Sequence, residues 1–280
     1  MTAIRRAAIT GWPVTHSRSP LVHGYWLKKH GLEGEYIRVG VEPEGAEAFY
    51  RDLAAAGLTG ANVTVPHKEL VAGLCDWLDP AAKAMGAVNT LWLEDGRLMG
   101  ANTDGLGFLG NLDQWAPGWD KTGSTAVVLG AGGAARAVIW ALLSRGFTQV
   151  HVVNRTEEKA RMLADHFGSA VVAHGWDKLG TVLGQASVLV NTTSLGMTGK
   201  PPLEIDLAPL PRTALVTDAV YSPLQTDLLK AASERGNPTV DGLGMLLHQA
   251  VYGFERWFGI RPEVDAELRS LILTDLGVTE

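Results

Sequence analysis

Along the chain, short apolar runs alternate with stretches of helical spacing. Runs at 7–10, 126–129, 149–153, 170–173, 187–191 and 215–219 predict buried strands, and 35–41 alternates in the manner of a half-buried one. Apolar positions at helical intervals predict helices over 19 to about 30, 44–56, 134–145, 157–167, 176–183, 221–236, 245–258 and 263–276. Residues 60–66 are β-rich and end at Pro66. Segments 87–94 and 97–103 flank Asp95-Gly96, a pair that accepts the left-handed conformations of a tight hairpin. From 126 onward strand and helix alternate, which predicts a parallel sheet with ligands at the carboxyl ends of its strands.

One junction in that alternation carries chemistry. The run at 126–129 passes into Gly130, Ala131, Gly132, Gly133, Ala134 and Ala135, and the helix follows at once. Strand, glycine turn and helix in this order form a dinucleotide fingerprint. Gly130 makes the tight turn, Gly132 lets the backbone approach a pyrophosphate, and Ala135 keeps helix and strand close. The helix N-terminus then turns unpaired N–H groups toward the phosphates. The next strand ends in Asn154, Arg155 and Thr156, where a unit selecting NAD would place an acidic residue for the ribose 2′-hydroxyl. Asn154 followed by Arg155 suits a 2′-phosphate, so NADP is the expected cofactor. The other reading of Arg155 is a solvated surface charge.

Further polar side chains gather in the first third of the chain. Ser19-Pro20 reads as an N-cap and first-turn pair, so Ser19 is either a cap alone or, with Ser17, which one cap leaves unexplained, part of a pair of loop hydroxyls for an anionic or polyol ligand. By two-residue alternation Asn62 and Thr64 share a strand face, close in sequence to Lys68. Lys68 is either a surface charge or part of a site. The hairpin carries Asn89 on one arm and Asn102-Thr103-Asp104 at the end of the other, with Asp104 reading as a helix cap or as a functional carboxylate. Gln249 lies on the apolar helix at 245–258, where packing and hydrogen bonding are both open to it.

Composition narrows the class. The 280 residues are long for one domain, 46% of them are hydrophobic and 19% charged, and 24 Lys+Arg against 30 Asp+Glu give a net charge of −6. That excludes a nucleic-acid binder that relies on bulk positive charge. Cys75 is the single cysteine, so no internal disulfide forms and a cytoplasmic location is expected. No apolar run approaches the length of a membrane span, and the opening MTAIRRAAITGWP has too few apolar residues for a secretory core. The eight histidines show no metal-binding spacing, and no metal is expected.

Taken together, eight segments resemble the shikimate dehydrogenase family: GWPVTHSRSP at 11–20, NVTVPHK at 62–68, GAVNTL at 86–91, NTDG at 102–105, GAGGAA at 130–135, NRT at 154–156, NTTSLGM at 191–197 and DGLGMLLHQ at 241–249. The resemblance runs nearly end to end. It implies an α/β protein of two domains, a discontinuous N-terminal α/β substrate domain at 1–106 completed by 240–280, and a Rossmann-type NADP-binding domain at 107–239. It also implies reversible NADPH-dependent reduction of 3-dehydroshikimate to shikimate, in aromatic amino-acid biosynthesis.

By this resemblance Lys68 and Asp104 are the catalytic pair, and Ser17 and Ser19 take the substrate carboxylate. Asn62, Thr64, Asn89 and Gln249 hold the hydroxyl face, and Tyr221 lies near carboxylate and nicotinamide. Gly130, Ala131, Gly132, Gly133 and Ala134 hold the pyrophosphate, Asn154, Arg155 and Thr156 the 2′-phosphate, and Ala219 and Gly242 border the nicotinamide. Gly24, where many relatives carry Asn, is a departure beyond the implied substrate contacts. The implied partner is a small molecule, with no nucleic acid or membrane, and the chain is a monomer or homodimer. The competing readings are an NAD-preferring quinate/shikimate dehydrogenase, a paralogue for an amino-substituted analogue, and a catalytically silent NADP(H)-binding sensor.

Overall fold

The computed structural model describes residues 4–278. The chain divides into two compact units: one comprises the stretch up to Thr103 together with the stretch from Leu247 on, and the other runs from Asp104 to Leu246.

The first unit is built on β1 (Arg5–Gly11), α1 (Ser19–Lys29), β2 (Gly34–Gly40), α2 (Ala46–Arg51), β3 (Gly60–Val63), α3 (Lys68–Ala72), β4 (Trp77–Leu78), α4 (Pro80–Met85), β5 (Thr90–Glu94) and β6 (Arg97–Ala101). Its six strands run in the order β2-β1-β3-β5-β6-β4. β1 pairs in parallel with β2 and β3, while β5 runs antiparallel to both β3 and β6. The register sets Ala7 opposite both Tyr36 and Gly60, and Asn62 opposite Thr90, so Tyr36, Gly60 and Asn62 share one face of the sheet. Asp95 (φ 51°) and Gly96 (φ 74°) close the β5–β6 hairpin with both central residues left-handed, as Asp-Gly predicts. Ala8, Tyr50, Leu53, Ala61, Val71 and Leu91 form the core on one side.

The second unit holds α5 (Asp104–Trp115), β7 (Thr125–Leu129), α6 (Gly133–Ser144), β8 (Gln149–Val153), α7 (Glu157–Phe167), β9 (Val171–His174), α8 (Leu179–Leu183), β10 (Val188–Asn191), β11 (Leu215–Asp218), α9 (Asp227–Glu234) and β12 (Thr239–Val240). Its sheet is parallel throughout, in the order β12-β11-β10-β7-β8-β9. Successive strand residues feed opposite cores. Val128, Val150, Val152 and Val190 pack with Val138, Ile139 and Leu142 of α6, while Val127, Leu129, Val153 and Leu189 pack with Val182, Leu183, Leu228 and Leu229 of α8 and α9. Covered on both faces, such strands read as continuous apolar runs. Each fully buried Val or Leu contributes about 1.5–3 kcal/mol. Two helices close the chain, α10 (Leu243–Phe258) and α11 (Ala266–Asp275), and the boundary between the units falls inside α10.

Several elements differ from the sequence reading. The helix expected over 44–56 is a single 3₁₀ turn followed by α2, which stops at Arg51 ahead of Gly57 (φ 70°). Ser19 is not an N-cap: Arg18 holds that position and Ser19 is the first residue of α1. β3 ends at Val63, so Thr64 lies beyond the strand and its N–H donates to the Thr10 carbonyl at 2.8 Å. The helix expected from Tyr221 begins at Asp227, where the Thr226 hydroxyl caps the Leu229 N–H. Asp79 and Asp265 cap α4 and α11 in the same way, contacts worth about 0.5–2 kcal/mol each.

Candidate active site

In the second unit the turn after β7 places an anion-binding helix end. Gly130 takes φ 102°, and a Cβ there would stand 2.9 Å from Thr192 Oγ1, so only glycine fits against the loop after β10. Gly132 is the N-cap of α6 and makes no side-chain cap. Gly132 and Gly133 are exposed, with open space where a Cβ would project, while Ala135 is fully buried against the sheet. Ala131 and Ala134 are partly exposed at the same end. The backbone N–H groups of α6 are thus reachable by a phosphate, and the twelve-residue helix adds the positive end of its dipole.

Asn154, Arg155 and Thr156 follow β8 at the same sheet edge. The Asn154 Nδ2 donates to the Thr156 carbonyl at 2.8 Å, which fixes the turn, and Arg155 and Thr156 are exposed. The residues present therefore suit a dinucleotide with a 2′-phosphate. Further along this edge the Gly242 backbone lies against Ala219: a Cβ on Gly242 would meet the Ala219 carbonyl at 2.8 Å. That brings together the two residues expected beside a nicotinamide. Tyr221, two residues on from Ala219, is partly exposed.

Two buried residues that the sequence reading passed over shape this edge. The Asp218 carboxylate, at the end of β11, accepts from Asn191 Nδ2 (2.9 Å), the Val220 N–H (2.9 Å) and the Thr226 hydroxyl (2.8 Å). Asn191 Oδ1 in turn accepts from the Thr193 N–H at 3.0 Å and its hydroxyl at 2.8 Å, holding the TTSLGM turn. Burial outweighs the three donors and pushes the Asp218 carboxyl up to about 6. An acidic residue ending an otherwise apolar strand run, LVTD, is the signal that marks it.

In the first unit Asn62, Asn89, Thr90 and Thr103 form one hydrogen-bonded line, and Ser17 and Ser19 a separate pair. The Ser17 hydroxyl faces that of Ser19 at 3.2 Å and also accepts from the Ser19 N–H at 3.3 Å. Asn62 is buried in β3; its Nδ2 donates to the Asn89 carbonyl at 3.2 Å and to Thr90 Oγ1 at 3.3 Å. Asn89 Oδ1 accepts from the Thr90 hydroxyl (2.9 Å), the Thr103 N–H (2.8 Å) and the Thr103 hydroxyl (3.1 Å). Asn89 thereby pins the residue immediately before Asp104. Lys68 opens α3 half-buried, and its carbonyl accepts from the Val88 N–H at 2.9 Å, tying it to the segment that carries Asn89. Its neighbour His67 is buried, with Nε2 2.8 Å from the Val41 carbonyl. Asp104 is the first residue of α5, and Gln249 lies partly exposed on α10. Among the described residues no group of three or more His, Cys, Asp or Glu could hold a metal ion.

A parallel sheet with a glycine turn at a helix N-terminus, together with a unit of buried hydroxyls and amides, defines a two-domain nicotinamide-dependent dehydrogenase. Family models described as "Shikimate dehydrogenase substrate binding domain", "Shikimate / quinate 5-dehydrogenase" and "Shikimate 5'-dehydrogenase C-terminal domain" match residues 9–91, 117–197 and 242–267. The shikimate dehydrogenase (NADP(+)) of Azorhizobium caulinodans is 59% identical over 98% of both chains. The chain belongs to the shikimate dehydrogenase family. Among solved structures, shikimate 5-dehydrogenase from Thermus thermophilus, in complex with NADP(H) and shikimate, matches with a TM-score of 0.85 and 36% identity, covering 96% of this chain and 99% of that one. Quinate dehydrogenase from Corynebacterium glutamicum, in complex with NAD, matches with a TM-score of 0.89 and 30% identity, covering 97% and 99%. No helix among the described residues is long and apolar enough to cross a membrane.

Proposed function

We propose that this chain catalyses the reversible reduction of 3-dehydroshikimate to shikimate with NADPH, a step of aromatic amino-acid biosynthesis. The observation that carries the reading is the buried, uncharged line of Asn62, Asn89, Thr90 and Thr103. Hydroxyls and amides held in place suit a neutral polyol ring, whose own hydroxyls both donate and accept. Ser17 and Ser19 take the substrate carboxylate, and Asn62, Thr64, Asn89 and Gln249 hold the hydroxyl-bearing face. Tyr221 stands near carboxylate and nicotinamide.

Gly130, Ala131, Gly132, Gly133 and Ala134 carry the pyrophosphate, Asn154, Arg155 and Thr156 the 2′-phosphate, and Ala219 and Gly242 border the nicotinamide. NADPH, when bound, supplies the hydride. The ketone oxygen gains negative charge as the carbon accepts that hydride, and the Lys68 ammonium stabilises it and gives it a proton, which completes the alcohol. In the reverse direction the neutral amine that Lys68 becomes on giving up its proton takes the hydroxyl proton as hydride passes to NADP⁺, and Asp104 is the relay by which Lys68 exchanges protons with solvent.

A two-by-two initial-rate assay of nicotinamide absorbance, with shikimate or quinate and NADP⁺ or NAD⁺, tests the assignment. Rapid turnover with shikimate and NADP⁺ alone is expected. Comparable rates with quinate and NAD⁺ would move the chain to the quinate branch, and silence of folded protein in all four wells would leave only a binding role.

A further inference from the structure

The polar line in the first unit has a member outside the family motifs. Tyr36 is the one buried residue of the edge strand β2. Its ring stacks on the buried His23 ring, centroids 4.0 Å apart and 15° from parallel, and lies tilted against Trp257 at 5.8 Å. A phenylalanine would satisfy that packing equally, so the hydroxyl has a separate role. It donates to Asn62 Oδ1 at 2.6 Å, a short bond reaching across β1. Burial pushes the phenol well above its ordinary range, a rise that the nearby Ser19 side chain opposes in part. The group therefore remains a neutral donor at every working pH.

This bond and the Asn89 carbonyl together fix which way the Asn62 amide faces. The Asn89 carbonyl can only accept, so the end of Asn62 directed at it must be Nδ2, and Oδ1 is left for Tyr36. The Tyr36 contact is short, while the Nδ2 contacts are 3.2 and 3.3 Å. The oxygen is firmly committed and the N–H groups are loosely held. We infer that Tyr36 is a positioning residue for substrate: its hydroxyl locks Asn62 with Oδ1 turned inward, so that the Nδ2 hydrogen on Thr90 Oγ1, the longer of the two contacts at 3.3 Å, is the donor that a substrate hydroxyl takes over. This rests on the assignment of Asn62 to the substrate site.

Tyr36→Phe tests it by steady-state kinetics. The variant keeps the ring on His23 and removes one oxygen, leaving Asn62 Oδ1 without its donor and the amide held only by its two longer contacts. The expected result is a KM for shikimate raised about tenfold, with kcat, the KM for NADP⁺ and the melting temperature within about twofold or a few degrees of wild type. An unchanged KM for shikimate in the folded variant, beside active wild type, overturns the inference and leaves the functional assignment intact. A wild type that turns over no shikimate overturns both. Should Tyr36→Phe fail to fold, a crystal structure of the wild-type shikimate complex decides. Asn62 Oδ1 still on Tyr36, with Nδ2 turned to a substrate hydroxyl, supports the inference, and a flipped amide presenting Oδ1 to the substrate overturns it.

Discussion

The two units hold their candidate groups by different physics. In the nucleotide unit the phosphate end is backbone: a glycine turn, a helix N-terminus and one exposed arginine, all within a few tens of residues. In the substrate unit it is side chains from separate strands and the segments beside them, with Tyr36 to Asn62, Asn62 to Asn89 and Asn89 to Thr103 separated by 26, 27 and 14 residues. A phosphate is recognised by N–H groups that any residue carries, so spacing and glycine suffice. A polyol is recognised by particular donors and acceptors whose orientation depends on the whole sheet.

The largest effect should fall on the proposed proton transfer. Lys68→Ala removes the proposed proton donor while leaving the glycine turn and the buried amides in place. A positioned acid contributes about 10²–10⁴-fold. The expected result is a kcat lowered by that order with little change in KM for shikimate or NADP⁺, measured by initial rates. Wild-type turnover in the variant would remove Lys68 from the mechanism.

The contrast also governs what the sequence discloses. Strands β7, β8, β10 and β11 stood out as apolar runs because both of their faces are covered, and Gly130 and Gly132 marked the turn. Asp95-Gly96 marked the hairpin for an equally local reason. In the substrate unit Ser17, Asn62 and Asn89 were legible through motif segments, but Tyr36 was not. It lies on a strand whose other residues are exposed or half-buried, and its partner is two strands away across β1. Asp218 escaped similarly, since a carboxylate that gathers three donors is defined by tertiary contacts, and Asn191, legible as the first residue of NTTSLGM, was given no role for the same reason. Segment 44–56 was overextended because its amphipathic spacing continues past Arg51, where the backbone turns instead.

Among the buried titratable groups, His23 in one unit and Asp218 in the other respond to pH in opposite senses. His23 is fully buried among Tyr36, Trp26, Phe254 and Trp257. Burial lowers its imidazole to about 3, with the nearby Asn62 side chain opposing in part. A depressed folded value means that the unfolded chain takes up the proton first. Stability contributed by neutral His23 is therefore present above about 6.5 and lost as pH falls toward 3, by about 5 kcal/mol in all. His23→Phe keeps an aromatic ring against Tyr36 and removes the titration. Hydrogen-exchange protection of β1, β2 and β3 in that variant should stay level between pH 6.5 and 4, where wild-type protection declines. An equal decline in both proteins would place the acid sensitivity elsewhere.

Asp218 gives the smaller and opposite effect. Its carboxyl is raised from 3.8 to about 6, so the folded chain holds a proton that the unfolded chain has already lost. The stability it contributes is complete below about 3.8 and lost as pH rises through about 6, roughly 3 kcal/mol over that window. This runs against the His23 trend over much of the same range, so the whole chain should look flatter with pH than either unit. Asp218→Asn abolishes the titration and weakens the clamp, because an amide offers one acceptor where three donors converge. Protection of β10 and β11 should be lower than wild type and level from pH 4 to 6, while β1 to β3 keep the wild-type acid decline. If β10 and β11 in wild type gained protection as pH rose through that window, Asp218 would have to be held charged in the fold, and burial would not be the dominant influence on it.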